Sequence, residues 1–304
     1  MTAARGLRKR PAAAVARPGC HKKLAASTEQ RRTVLNRVSK DGWALHSVVA
    51  RFKSDPEIVL AAVTNRGHAL QHASEELRSA HEIVLAAVNQ SGDALQHAAE
   101  ELRSDHEIVL AAVNQNGDAL EYAAEELRSN YEIVLAAVAN NGSALRHAAE
   151  ELRSNHDIVL RAMPSAGLDF FAAAEELQNN HEIVLAAVSG CPLLFHLLAE
   201  ELRGNFEITM AAVSRHGSQL AWASKEMTSN REIVLAAVAE DPTALMWATD
   251  DLLLDESFAV EARKTFFFIK IVALSGRSCV VALEHQDMEL LLTKCCKKLA
   301  MERT

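Results

Sequence analysis

The chain has 304 residues, 49% hydrophobic and 24% charged, with a net charge of −8. That balance is too apolar for a chain disordered throughout, and no run approaches the ~18 continuous apolar residues that span a bilayer, so a soluble, intracellular protein is expected. Residues 1–56 carry 13 Lys/Arg against three Asp/Glu, whereas residues 57–256 carry 11 against 32; so acidic a body argues against nucleic acid and for a basic partner.

Residues 1–30 open the chain as a basic arm. Residues 1–28 hold seven Lys/Arg and no acid. Disorder is the preferred reading, with an organelle transit peptide and a weak nuclear signal at Arg8-Lys9-Arg10 as alternatives. The five cysteines (Cys20, Cys191, Cys279, Cys295, Cys296) form no CxxC pair, so free thiols in a reducing compartment are expected.

From residue 31 to residue 256 the chain repeats itself. The word EIVLAAV starts at Glu57, Glu82, Glu107, Glu132, Glu182 and Glu232, with variants at Asp157 and Glu207. Each start follows the last by 25 residues. A worn copy precedes them at residues 32–38, and a fragment follows at 257–260. The apolar run predicts a first helix in each copy. A capping box is expected at Ser79/Glu82, and likewise at Ser54/Glu57, Ser104/Glu107, Ser129/Glu132 and Ser229/Glu232. Gly92 and its counterparts suit a left-handed helix end. Asp93, Asp118, Ser143 and Ser218 are placed to cap a second helix. In that helix Ala94, Leu95, Ala98, Ala99 and Leu102 share one face, and Gln96, His97, Glu100, Glu101 and Arg103 the other. Helices this short, on the order of 8–11 residues, are stable only by stacking on neighbouring copies. The expected fold is therefore all-α, an α-solenoid of tandem 25-residue helical hairpins.

The pattern E-I-V-L-A-A-V-x-x-x-G-x-A-L-x-x-A-x-E-E-L-R resembles the repeat of the domain-of-unknown-function 4116 family over about residues 32–256. The resemblance implies a helical repeat array. It implies no reaction, cofactor or catalytic residue.

Function is sought where matching copies differ. One surface position reads His72, His97, Tyr122, His147, Ala172, Leu197, Trp222 and Trp247. Beside it runs a ridge of glutamates that includes Glu101, Glu126 and Glu151. Aromatic and histidine side chains next to carboxylates suit a protein or peptide with apolar anchors and basic flanks. The alternative is that these side chains only cover seams between copies. His81, His106, His156 and His181 recur once per copy, too far apart to share one metal. No P-loop, GxSxG or HExxH is present, so neither catalysis nor a cofactor is expected.

Later copies depart from the pattern. Met163-Pro164 is expected to cut its helix short. Phe170, Phe171, Cys191 and His196 gather a weaker hypothesis of a cryptic enzyme site. Residues 257–304 change character: two β runs, 266–274 and 278–283, flank the turn Ser275-Gly276-Arg277 and predict a hairpin. Residues 287–300 read as an amphipathic helix with Met288, Leu291, Leu292, Cys295 and Leu299 on one face. The turn Leu-Ser-Gly-Arg-Ser resembles the start of a ubiquitin-like fold over about 35 residues, which implies an alternative role as adaptor in a ubiquitin-type pathway.

Overall fold

Each 25-residue repeat folds into three short segments rather than two. This is seen in a computed structural model that describes residues 18–262, with side chains from residue 28 onward. In the copy that begins near residue 56, a ten-residue α-helix Pro56–Asn65 leads into a 3-10 helix Gly67–His72 and a four-residue α-helix Glu75–Arg78. The next copies repeat this as His81–Gln90, Gly92–His97 and Glu100–Arg103, then His106–Gln115, Gly117–Tyr122 and Glu125–Arg128. Among the described residues there is no strand. The β-hairpin, the following helix and the ubiquitin-like turn expected after residue 262 lie outside the described residues.

The first helix forms as the sequence predicts. Ile58, Val59, Ala62 and Val63 recur at i, i+1, i+4 and i+5, one helical face, and all are buried. Ile133, Val134, Ala137 and Val138 do the same in the helix Tyr131–Asn140. Its start differs from the expected capping box. The cap is one residue later, where Asn130 accepts a hydrogen bond from the Ile133 amide, and Asp105 from Ile108. Asp55, Asn155, Asn180, Asn205 and Asn230 do likewise. Ala80 holds this position without a cap bond. The serines instead close the preceding four-residue helix: the hydroxyls of Ser79, Ser129 and Ser154 donate to the carbonyls four residues back. A carboxylate or amide reaches the helix N–H groups directly, which leaves the serine to the other helix end.

The second helix of the expected hairpin is replaced by the 3-10 helix and the four-residue helix. Gly92, Leu95 and Ala98 lie three apart and all are buried, matching a helix of 3.0 residues per turn better than one of 3.6. The chain then extends: Ala98 has φ −69° and ψ 156°. The Ala99 amide crosses to the Arg78 carbonyl of the previous copy at 2.9 Å. Ala124 to Arg103 and Ala149 to Arg128 repeat that bond at 2.9 and 3.0 Å. Two adjacent alanines thus break one helix because the second amide is claimed by the neighbouring repeat.

The glycines are also reassigned. None but Gly167, with φ +58°, has a positive φ among the described residues. Those at the start of a 3-10 helix, Gly42, Gly67, Gly117, Gly142 and Gly217, permit close approach. A Cβ on Gly67 would overlap the Ala87 carbonyl oxygen, and one on Gly117 that of Ala137. The Gly117 amide donates to Asn140 Oδ1 at 2.8 Å, while Asn140 Nδ2 donates to the Asn114 carbonyl at 2.9 Å. One amide side chain therefore ties this repeat to its predecessor. Asn116 and Asn141, not the residues after the glycine, cap the 3-10 helices that follow them.

Contacts divide the chain between Ala99 and Glu100. In the first unit, the helix Pro18–Lys40 packs on Pro56–Asn65, which packs on His81–Gln90; the 3-10 helices Gly42–Ser47, Gly67–His72 and Gly92–His97 stack in parallel order. The first helix thus begins inside the segment read as a basic arm. Its docked half is anchored by Arg31, which donates to Asp55 at 2.6 and 3.0 Å and to Glu57 at 2.6 Å. In the second unit, the long helices stack in order from His106–Gln115 to Arg231–Glu240. There Gly117–Tyr122 stacks on Gly142–His147 and that on Gly167–Ala172; Pro192–Leu197, Gly217–Trp222 and Pro242–Trp247 form a second run. In each unit the core lies between a row of long helices and a row of 3-10 helices, the arrangement of an all-α repeat solenoid.

Pro164 does not cut its helix short. His156–Ala166 runs eleven residues with Pro164 inside its last turns. Ser165 still accepts from the Gly142 amide at 3.0 Å, so the tie to the previous repeat survives. Opposite the proline the chain has Gly190, where a Cβ would strike the Pro164 backbone. Where Pro192 replaces the usual glycine, the next long helix, Phe206–Val213, has only eight residues.

Candidate interaction surface

The variable position found in the sequence is the last residue of each 3-10 helix. Three-residue periodicity puts Leu70 in the core and turns His72 toward the surface of that row. In the first unit His72 and His97 are half-buried. Trp43 meets the His72 ring edge-on at 5.3 Å, and His46 lies 5.8 Å away. His68 approaches His97 at 5.8 Å, so each copy covers part of the next. Both imidazoles are held below the ordinary histidine range. Burial is the main cause for each; Lys53 and His46 add to it at His72, and His68, His72 and Arg78 at His97.

In the second unit the same position carries Tyr122, His147, Ala172, Leu197, Trp222 and Trp247. The first three are half-buried, and the last three are exposed. His147 accepts a hydrogen bond from Arg146 Nε at 3.0 Å, and its pKa is lowered by burial and then by that arginine. It lines a groove of about 350 Å³ together with Glu125, Arg128, Glu150, Glu151 and Arg153. A similar groove of about 310 Å³ lies between Glu100, Arg103, Glu125 and Glu126. The stripe and the glutamate ridge therefore meet at His147 and Glu151. Glu101, Glu126 and Glu151 are all exposed on the four-residue helices.

The residues behind the cryptic-enzyme hypothesis fall in different places. Phe170 is 1% exposed, in the core position that leucine fills in most copies, whereas Phe171 is 45% exposed. Cys191 precedes the 3-10 helix Pro192–Leu197, and His196 Nδ1 faces the Leu193 carbonyl. Among the described residues no group of three or more His, Cys, Asp or Glu is gathered as a metal would require. No described helix is long and apolar enough to cross a membrane.

Two features escaped the sequence reading. One is a ladder on the other row. His106 lies 3.7 Å from Glu132, His156 3.7 Å from Glu182 and His181 3.2 Å from Glu207, each pair joining consecutive repeats. The recurring His-Glu dipeptide was its visible signal. The other is the exposed apolar company of the stripe, Leu168, Leu193 and Met246, on the later 3-10 helices. Aligned by period, these stand where earlier copies have His68, Asp93 and Asp118, or Gln71, Gln96 and Glu121.

Comparison with known proteins adds a family. The model for the domain of unknown function DUF4116 matches residues 31–78, 81–128, 130–163, 180–228 and 205–253. The full-length matches each span about two of the 25-residue periods, and several end with a four-residue helix. No curated protein and no solved structure matches the chain. Matched through most of its length and in register with its repeats, the chain belongs to the DUF4116 family.

Proposed function

We propose that the chain is a non-catalytic scaffold that binds a protein or peptide with basic residues along the row of 3-10 helices. One observation carries the reading. The core of each copy is nearly invariant, while the last 3-10 residue changes from histidine to tyrosine to tryptophan, and Trp222 and Trp247 are 49% and 45% exposed. Exposed tryptophans are costly in water and are favoured anchors of interfaces. Carboxylates on the adjacent four-residue helices favour cationic flanks on the partner and disfavour phosphate backbones.

The test is proximity labelling in cells with the intact chain and with a variant carrying His97→Ala, Tyr122→Ala, His147→Ala and Trp222→Ala, after circular dichroism shows equal helicity. Loss of specific partners from the variant supports binding on this row. An unchanged partner set refutes it and assigns the large side chains to covering seams.

A further inference from the structure

The 3-10 row is not chemically uniform, and its last three members stand apart. Pro192–Leu197, Gly217–Trp222 and Pro242–Trp247 stack directly on one another. Together they expose Leu193, Leu197, Trp222, Met246 and Trp247, each between 45% and 53%. His196 closes the seam by packing on Trp222 at 5.7 Å. Earlier copies have no comparable apolar run at the same positions: Asp118, Glu121 and Tyr122, or Ser143, Arg146 and His147, occupy them.

The rim is acidic. Glu200, Glu201, Glu226, Asp250 and Asp251 are exposed on the four-residue helices beside this run, against Lys225 alone. Arg203 is turned inward, its guanidinium donating to the Trp222 carbonyl at 2.7 Å. An apolar strip walled by five carboxylates and one ammonium favours an occupant with an apolar face and cationic edges.

Spacing selects its backbone. Packed helices lie about 8–10 Å apart, so apolar side chains recur along this strip at about that interval. Two turns of an α-helix advance about 10.5 Å, and a heptad-spaced face keeps register with the strip. An extended strand repeats a face every ~6.7 Å and drifts out of register within two repeats.

We infer that residues 192–247 form a docking face for a basic amphipathic α-helix of about 14 residues. The inference rests on the scaffold reading and narrows it to one partner class and one part of the row.

The test uses the full chain with Trp43→Phe, which leaves Trp222 and Trp247 as its only tryptophans. The probe is a synthetic 14-residue amphipathic peptide of leucine and lysine. Two control peptides are a scramble of the same composition, which has the charge without the apolar face, and a leucine–glutamate analogue. The expected result is a saturable shift of tryptophan emission with the first peptide. Binding should weaken about tenfold or more for the scramble, for the acidic analogue and in the variants Leu197→Asp and Met246→Glu. Both altered side chains are exposed, so neither change disturbs the core. Equal binding of the scramble would mean a purely ionic attraction and overturn the proposal. So would indifference to both substitutions. A chain that is dimeric without peptide and becomes monomeric with Leu197→Asp would show a second copy on this face, which also overturns it. Should the peptide fail while the four-alanine variant still loses its cellular partners, the helix assignment falls and the scaffold reading stands.

Discussion

Single residues carry the tie between repeats, and glycine carries it by what it lacks. The Gly117 position faces the Ala137 carbonyl so closely that a methyl group cannot enter without moving one backbone from the other. Gly117→Ala is expected to destabilise the fold by about 1–3 kcal/mol in urea unfolding. Gly204 is the contrast. Its nearest neighbours would sit at ordinary contact distance, and serine fills the same position in several copies. Gly204→Ala is expected to be neutral or to stabilise by about 0.4–1 kcal/mol, by restricting the unfolded chain. Equal losses from both substitutions would refute the close-approach account. The glycines were legible in the sequence as fixed points of the repeat, but their role was not. A left-handed helix end and a backbone contact select the same residue, and only the position of the next repeat separates them.

The half-buried histidines of the 3-10 row give a second consequence at this scale. His72, His97 and His147 all titrate below the ordinary value of 6.5, chiefly through burial. Between the lowered folded pKa and 6.5 the unfolded chain binds more protons than the folded one, so stability rises with pH there. The contribution is therefore complete above 6.5 and is lost as pH falls through and below that value. Replacing the three with glutamine should flatten the fall in unfolding midpoint between about pH 7 and pH 5. An unchanged profile would show that burial does not govern these groups. His106, His156 and His181 lie beside carboxylates, an ion pair whenever the imidazole is protonated, so they stay unaltered in both chains compared.

At the scale of the element, the repeat is a long helix whose ends are specified by side chains and a return path specified by its neighbour. The long helix was read correctly from Ile, Val, Ala and Val because a face of period 3.6 needs no partner to be recognised. Its first residue was misplaced by one. Ser and Asn/Asp are adjacent in the chain, both are good caps, and the serine happened to complete a capping-box spelling. Ala80 shows the consequence. It is the cap position of His81–Gln90 and makes no side-chain cap bond, whereas Asp105 and Asn130 do. Ala80→Asp is expected to stabilise the fold by about 1 kcal/mol in urea unfolding, through a bond to the Ile83 amide. No gain would mean that the neighbouring repeats already fix this helix end. The return path was misread for a different reason. Ala94, Leu95, Ala98 and Ala99 fit an α-helical face when taken alone. What selects 3-10 geometry and the break after it is the Ala99 amide bonding the Arg78 carbonyl of the copy before. That bond belongs to stacking and has no local signature.

For the whole molecule, the period of 25 was the most informative feature of the sequence: short helices recurring at that interval pointed to a stacked array, and the residue pattern within the period carried the resemblance to the family. Stacked repeats gain stability from neighbours, so a core of small residues suffices and the surface is free to vary. The variable stripe was found for that reason. Its chemistry was only partly read, because one column was followed and the columns holding Leu193 and Met246 were not. The exposed apolar run appears once the 3-10 helix is known to present three columns on one face. The adaptor reading rested on residues after 262, and the enzyme reading on Phe170, Phe171, Cys191 and His196, of which Phe170 fills a core position. The account thus comes down to one claim, that partners are held by the 3-10 row and not by the row of long helices.

Hydroxyl-radical footprinting of the chain, alone and with the partner captured by proximity labelling, tests this most directly. Each row supplies its own reporters: Trp222 and Trp247 on the 3-10 row, Tyr131 and Phe206 at the starts of long helices, all of them exposed. The account predicts that partner binding slows oxidation of the two tryptophans severalfold and leaves Tyr131 and Phe206 unchanged. Protection of Tyr131 and Phe206 with the tryptophans still open would contradict it and place the binding surface on the opposite row.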